Sequence, residues 1–488
     1  MVGMNVPEAL LDRLRDRLLE SGYTLDGVRE RLGDVAASAL AREELVPALR
    51  ATRDGDALAA LIRLWWLGVP VEAAELPLPV AGLVESGLLT AEHGTAVRAA
   101  VHLQPWEEGG YLVSDRKVRP GDPPLRTDHV VGAGGASANL AQLAARAPAE
   151  RALDLGTGCG VQVVHLAGRA RRIVATDVNP RALELAALTW RLSGVHERAE
   201  VEARQGAMYE PVEGERFDLI VSNPPFVIAP GGGLTYRESG EDADGFCRHL
   251  VRLAPRHLAP GGYAHLLANW LHVKGEDWRD RVGGWLAETG LDGWAVQRDV
   301  QDPAEYVELW LRDSAEHGTP RYAERYDAWL GRLEAMDVTG VGFGWITLRD
   351  SGTLDPVVRV EELTQRVELP VGGYVSGVLD AIGAAHRLTD EELLAACPAV
   401  AEGVTEERSG PPGAEDPARI VLRQTRGLRR TAAVGTVEAA LAGVVDGTLP
   451  LAPLLDAIAE LTGGDPAELR ASTPAAVRAL IAEGFFTL

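Results

Sequence analysis

Apolar positions fall into three regimes along the chain. Over residues 7 to 100 they recur at helical spacing: Leu10, Leu14 and Leu18, then Leu58, Leu61, Ile62 and Trp65. That spacing predicts helices, and a strand-like stretch follows at 97–103. Farther on, short apolar runs alternate with helical patterns. The runs lie near 152–155, 172–176, 200–204, 217–222, 262–268, 293–299 and 342–348. Such alternation predicts a parallel sheet covered by helices, an α/β domain. A helical pattern over about 303–335 reads as an insertion before the last strand. Beyond 351 the pattern is helical again. Val437, Leu441 and Val444 form one face, and Leu451, Leu454, Leu455, Ile458 and Leu461 another; a third helix opens at Pro474.

These regimes divide the 488 residues into three expected domains, 1–125, 126–350 and 351–488. The first boundary is the Pro/Gly-rich stretch Pro120–Pro124. The outer domains share an echo, Leu83-Val-Glu-Ser-Gly87-Leu-Leu89 and Leu480-Ile-Ala-Glu-Gly484-Phe-Phe486. A helix, a glycine and an apolar pair read as a winged-helix-like unit turning into its wing. Ser409-Gly-Pro-Pro-Gly413 reads as a loop.

The chemistry concentrates in the middle domain. Phe217-Asp-Leu-Ile-Val-Ser222 reads as a buried strand, and it ends in Asn223-Pro224-Pro225-Phe226. Each proline fixes its own φ and restricts the residue before it, so the segment is stiff and extended. It presents an Asn amide and a prolyl carbonyl as fixed acceptors at the carboxyl end of a strand, where open α/β sheets bind ligands. Phe226 offers a face for a planar group. Upstream, Asp154-Leu-Gly156-Thr-Gly158-Cys-Gly160 runs from a strand through a glycine loop toward a helix. The next strand ends at Asp177, about 20 residues further on, where an acid suits two ribose hydroxyls. A dinucleotide fold shares this logic. Here Val161 stands where the third Gly or Ala of GxGxxG/A belongs, and an acid precedes the loop, which suits an amino acid ammonium better than a pyrophosphate.

With both motifs in order, residues 126–350 resemble the class I S-adenosylmethionine-dependent methyltransferases. The resemblance is to their amino-group branch with an (N/D)PP(Y/F) motif, which includes glutamine and nucleobase methyltransferases. It implies a Rossmann-like seven-stranded sheet with an antiparallel last strand, and S-adenosylmethionine as cofactor. Asp154, Gly156, Gly158, Gly160, Asp177 and Asn179 would hold the cofactor, with Ala207 and Met208 near its adenine. Many relatives carry an acid near 207; here adenine would rest on backbone groups and on Met208 or Tyr209. Asn223, Pro224, Pro225 and Phe226 would form the catalytic platform. Val130–Gly135 would be a loop beside the cofactor, and Tyr236-Arg-Glu-Ser-Gly240 also fits the glutamine and ribosomal members.

Composition narrows the partners. A net charge of −23 disfavours passive attraction to nucleic acid and tilts the reading toward a protein or ribosomal-particle substrate. Arg419 to Arg430 nonetheless holds five arginines; Arg423, Arg426, Arg429 and Arg430 could meet phosphates or form a solvated, salt-bridged face. Trp270 is a further candidate for the carboxyl edge of the sheet. No run of 18 apolar residues exists, the first residues lack a secretory pattern, and Cys159, Cys247 and Cys397 are isolated. These features are expected of a cytoplasmic protein without a metal site or disulfides. Two other functions stay open: methylation of a small metabolite, and a non-catalytic winged-helix regulator.

Overall fold

The computed structural model describes residues 6–117, 125–144, 148–229, 243–313, 321–413 and 416–488. Pro120–Pro124 and the Tyr236–Gly240 segment lie outside them. At the centre is an eight-stranded sheet: β1 (Ala149–Leu155), β2 (Ala170–Asp177), β3 (Glu200–Gln205), β4 (Phe217–Ser222), β5 (Leu258–Val273), β6 (Asp292–Gln301), β7 (Val338–Arg349) and β8 (Val358–Glu362). Its order is β8-β6-β7-β5-β4-β1-β2-β3. β1 to β5 pair in parallel, and β7 is antiparallel to both β5 and β6.

All seven expected strands form. The sheet is nevertheless eight-stranded, because β8 adds to β6 in parallel. β8 is a half-polar edge strand, Val-Arg-Val-Glu-Glu, with little apolar signal to mark it. Residues past 351 therefore begin by extending the sheet.

The inner strands are apolar on both faces because both faces are covered. Alternate residues feed two layers. Ala152, Ile173, Ala175, Leu219 and Val221 pack on one side; Leu153, Leu155, Val174, Ile220 and Leu266 pack on the other. β1 lies between β2 and β4, so the chain reverses direction across the sheet there. The carboxyl ends of these strands form the crevice where such sheets bind ligands. Flanking helices are α1 (Gly135–Leu143), α2 (Val161–Leu166), α3 (Pro180–Leu192), α4 (Gly245–Leu253), α5 (Pro303–Asp313) and α6 (Tyr322–Ala335). α5 and α6 are the expected insertion. Tyr306, Val307, Leu311, Trp329 and Leu333 pack with Val227 and Ile228, just past the Asn-Pro-Pro-Phe segment.

The outer parts carry the repeated turn. After helix Val80–Glu85, Gly87 takes φ 78°; after helix Pro474–Ala482, Gly484 takes the same φ. In both, the next backbone N–H reaches back five residues, Leu88 to Leu83 and Phe485 to Leu480, a Schellman-type end. The first leads into a three-stranded sheet of Val71–Glu72, Ala96–Ala99 and Leu89–Ala91. The second leads into Phe486–Thr487, which pairs with Ala399–Val400. The helical faces read beyond 351 hold in part: Leu441, Leu451, Leu455 and Ile458 are buried, whereas Val444 and Leu461 are exposed.

Two expectations change. Trp270 does not reach the carboxyl edge, because β5 runs on to Val273. Its ring is fully buried, its Nε1 donates to Gln297 Oε1 at 2.8 Å, and it stacks on Trp278. Three of the five arginines are also paired with carboxylates. Arg423 pairs with Glu407 at 2.5 Å and Arg426 with Glu402 at 2.8 Å. Arg430 is buried, 2.6 Å from Glu361 of β8 and over the Trp294 ring; it cannot meet a phosphate. Its role is to join the C-terminal part to the sheet edge. Arg430→Ala should destabilise the chain by about 2 kcal/mol. That is less than a fully isolated buried charge would cost, because Glu361 keeps Arg359 at 3.0 Å. Thermal or denaturant unfolding measures it.

Candidate functional site

A cavity of about 600 Å³ opens at the carboxyl ends of β1, β2 and β4, within the range of small-molecule sites. Gly156, Gly158, Asp177, Asn179, Ala207, Met208 and Asn223 through Phe226 all line it. Two expected residues do not, Asp154 and Gly160, and they act from behind the wall.

Gly156 and Gly158 take φ values of 75° and 54°, where a Cβ is strained. An added Cβ at either would meet no atom within 4 Å, so the loop leaves space that a ligand can use. Gly160 differs. A Cβ there would come within 2.5 Å of Trp190 Nε1, and that N–H donates to the Gly160 carbonyl at 3.0 Å. Gly160 lets α2 pack against α3 and does not face the cavity.

Asp154 is buried, and its Oδ2 accepts from Thr157 Oγ1 at 2.6 Å. Its Oδ1 is buried with no protein partner. Burial pushes this carboxyl up to about 7 and the nearby Asp177 adds to the rise, while the Thr157 bond opposes it. An unpaired buried acid behind a glycine loop is what an ammonium would complete.

Asp177 ends β2 half-buried. One oxygen accepts the Gly158 N–H and the other the Asn179 N–H, each at 2.9 Å. Burial raises its pKa, against those backbone bonds. Each oxygen keeps acceptor capacity for a hydroxyl. Asn179 is committed elsewhere: its amide caps α3 through the Arg181 N–H and donates to the Asp128 carbonyl at 2.9 Å.

Where adenine is expected, Gly206, Ala207 and Met208 line the cavity. Tyr209 turns away: it is buried, stacked on His257 at 4.5 Å. Of the two side chains expected there, Met208 lines the cavity and Tyr209 does not.

Opposite, Ser222 Oγ donates to the Leu155 carbonyl at 2.7 Å and ties the ends of β4 and β1 together. Asn223 Nδ2 donates to Ser137 Oγ of α1 at 3.2 Å. Its amide oxygen is the acceptor left for a ligand. Beyond Phe226 the backbone is clamped from the insertion. The Ile228 N–H donates to Tyr306 Oη at 2.9 Å, and Trp329 Nε1 donates to the Ile228 carbonyl at 2.6 Å. Trp310 of α5 lies edge-on to Phe226, 6.5 Å between centroids at 72°. It lines the cavity with Val227, Phe246 and Leu250.

Sequence reading missed Ser137, Phe246, Leu250 and Trp310. None belongs to a motif, and only the fold brings α1, α4 and α5 to one cavity.

The fit of an ammonium-bearing cofactor has a pH signature. A carboxyl raised by burial binds its proton more tightly folded than unfolded, so it subtracts stability from the empty protein as pH rises from about 4 to about 7. An ammonium beside it favours the charged form. Stabilisation by S-adenosylhomocysteine should therefore grow as pH rises toward about 7 and level off above it, and Asp154→Asn should flatten that growth. Melting with and without the ligand across that range measures it.

The strand order, the antiparallel β7, and the glycine loop, Asp177 and the Asn-Pro-Pro-Phe segment on one cavity define a class I methyltransferase domain. Its cofactor is S-adenosylmethionine. The similarity to known proteins agrees. Residues 134–276 match the methyltransferase small domain family, and residues 20–100 match a domain of unknown function, DUF7059. A release factor glutamine methyltransferase of Xylella fastidiosa is 38% identical over 163 residues, 31% of this chain and 56% of that protein. One of Geobacter sulfurreducens is 33% identical over 30% of this chain and 53% of its own length. A ribosomal protein uL3 glutamine methyltransferase of Bradyrhizobium diazoefficiens is 34% identical over 23% of this chain and 39% of its own. The chain spans about half the length of the curated relatives it matches. Among solved structures, a methyltransferase from Pyrococcus furiosus aligns with a TM-score of 0.27 and 17% identity, over 49% of this chain and 89% of that one.

Proposed function

We propose that this chain is an S-adenosylmethionine-dependent N-methyltransferase that modifies a glutamine side-chain amide in a protein of the translation machinery. The observation that carries the proposal is the acceptor end of the cavity. There Asn223 supplies a polar handle, and Phe226, Val227, Phe246, Leu250 and Trp310 supply apolar walls. A glutamine side chain is an amide on an aliphatic stem and matches both. A nucleobase carries several edge groups that need partners, and these five walls offer no comparable set. The relatives' printed activities, glutamine methylation of release factors and of uL3, support the same reading. So does the pairing of Arg423, Arg426 and Arg430 with carboxylates, which weakens the argument for nucleic acid. A translation substrate would place the work in the cytoplasm, and among the described residues no helix is long and apolar enough to cross a membrane.

In this reading the cofactor supplies a methyl group on a sulfonium that leaves as a neutral thioether. The residues of the chain orient the acceptor. The Asn223 amide oxygen and the Pro224 carbonyl accept the two N–H groups of the amide, turning the nitrogen toward the methyl. Phe226 stacks on the amide plane. Ser137 fixes the Asn223 amide from the other side, so the acceptor geometry is set before substrate arrives. Alignment of this kind contributes about 7–11 kcal/mol in well-oriented reactions, and the acceptors strengthen as positive charge develops on nitrogen.

The test uses labelled cofactor and lysate from a strain lacking this gene. Label that protease removes and nuclease leaves intact supports the proposal. Label lost to nuclease points to RNA or DNA, and label in a small-molecule fraction points to a metabolite.

A further inference from the structure

The N-terminal part holds one wall of the cofactor cavity in place. Hairpin strands Val101–Pro105 and Tyr111–Asp115 precede the methyltransferase domain, and every residue of the second strand is buried. That strand is sewn lengthwise to α3 by side chains. Ser193 Oγ takes the Tyr111 N–H and donates to its carbonyl, both at 2.9 Å. Thr189 Oγ1 takes the Val113 N–H at 2.9 Å. α3 starts directly after Asp177 and Asn179, so the strand leads to the ribose end of the cavity.

There its last residue, Asp115, makes a junction. The carboxylate accepts from Arg181 Nε at 3.0 and 3.1 Å, in the first turn of α3. Its Oδ2 also takes the Val130 N–H at 2.9 Å, and the Asp115 N–H donates to the Val130 carbonyl at 3.0 Å. His129, Val130, Val131, Gly132 and Gly134 form a wall of the cavity. Gly132 lies against Ser114, where an added Cβ would come within 3.0 Å of its Oγ. One carboxylate, only 9% exposed, therefore ties the hairpin, the loop 129–134 and the helix that follows the ribose acid.

We propose that Asp115 is a positioning residue for cofactor binding, and that the N-terminal part completes the cofactor site as well as any surface for substrate. Without the carboxylate, Arg181 loses its buried partner, the Val130 N–H loses its acceptor, and loop 129–134 is freed from the cavity. The inference rests on the cofactor reading above.

The experiment titrates the full chain with S-adenosylhomocysteine by calorimetry. Asp115→Asn should raise Kd by about tenfold or more, the scale of one charge-assisted contact. Arg181→Lys, which keeps the charge and loses the fork, should weaken binding in the same direction. Activity of Asp115→Asn should return to near the wild-type kcat at saturating cofactor, a KM effect that general loosening of the fold would not produce. Asp12→Asn removes another α3 contact, the Arg191 pair at 2.6 Å, and should leave cofactor affinity unchanged. Wild-type Kd in folded Asp115→Asn, or in Arg181→Lys should Asp115→Asn not fold, overturns the inference alone. Equal losses in Asp12→Asn and Asp115→Asn overturn it too, since any loosened contact would then suffice. A wild-type chain that binds no S-adenosylhomocysteine overturns the cofactor reading beneath it as well.

Discussion

Asn223→Ala should lower kcat/KM by about a thousandfold, roughly 4 kcal/mol, while S-adenosylhomocysteine affinity changes little. The residue lines the cavity at the end of β4, with its amide nitrogen engaged by Ser137. Its oxygen is then the group available to an acceptor N–H, an interaction that matters most as charge develops on nitrogen. Alanine also removes the Ser137 contact, so Ser137→Ala is a useful companion and should show a smaller loss of the same kind. Steady-state kinetics with calorimetry separates the two quantities. A variant that keeps more than about a tenth of wild-type kcat/KM has lost less than about 1.4 kcal/mol, which is too little for the proposed role.

Asp177→Ala should do the reverse. Cofactor binding should weaken by about 3 kcal/mol, roughly two orders of magnitude in Kd, from the loss of charge-assisted bonds to two hydroxyls. The Gly158 and Asn179 N–H groups would lose their acceptor as well, so the loop before α2 and the start of α3 should loosen together. Calorimetric titration with S-adenosylhomocysteine measures this. An unchanged Kd would remove Asp177 from the cofactor site.

The central sheet and both motifs were legible because each is local. Strand runs, glycines and prolines sit within a few residues of the groups they position, and the polypeptide geometry there follows from residue type. The edge strand β8 was not legible, since three of its five residues are charged. Trp270 misled because a strand end was placed by the last apolar run, whereas β5 continues past it. The cavity walls from α1, α4 and α5 lacked any local signal. Ser137, Phe246 and Trp310 become neighbours only when the sheet folds. The arginine group illustrates the same limit. Its composition is visible, but Glu402, Glu407 and Glu361, which pair with three of its five arginines, come from other elements. Gly160 was placed in the right motif, and only Trp190 reveals that it serves helix packing.

The most direct measurement combines the purified chain with labelled S-adenosylmethionine and a release factor or ribosomal protein uL3 preparation from a strain lacking this gene, followed by tandem mass spectrometry. The expected result is one added methyl group on the side-chain nitrogen of a glutamine, absent with Asn223→Ala. A methyl group on RNA, on oxygen or carbon, or one that persists in Asn223→Ala, would contradict it.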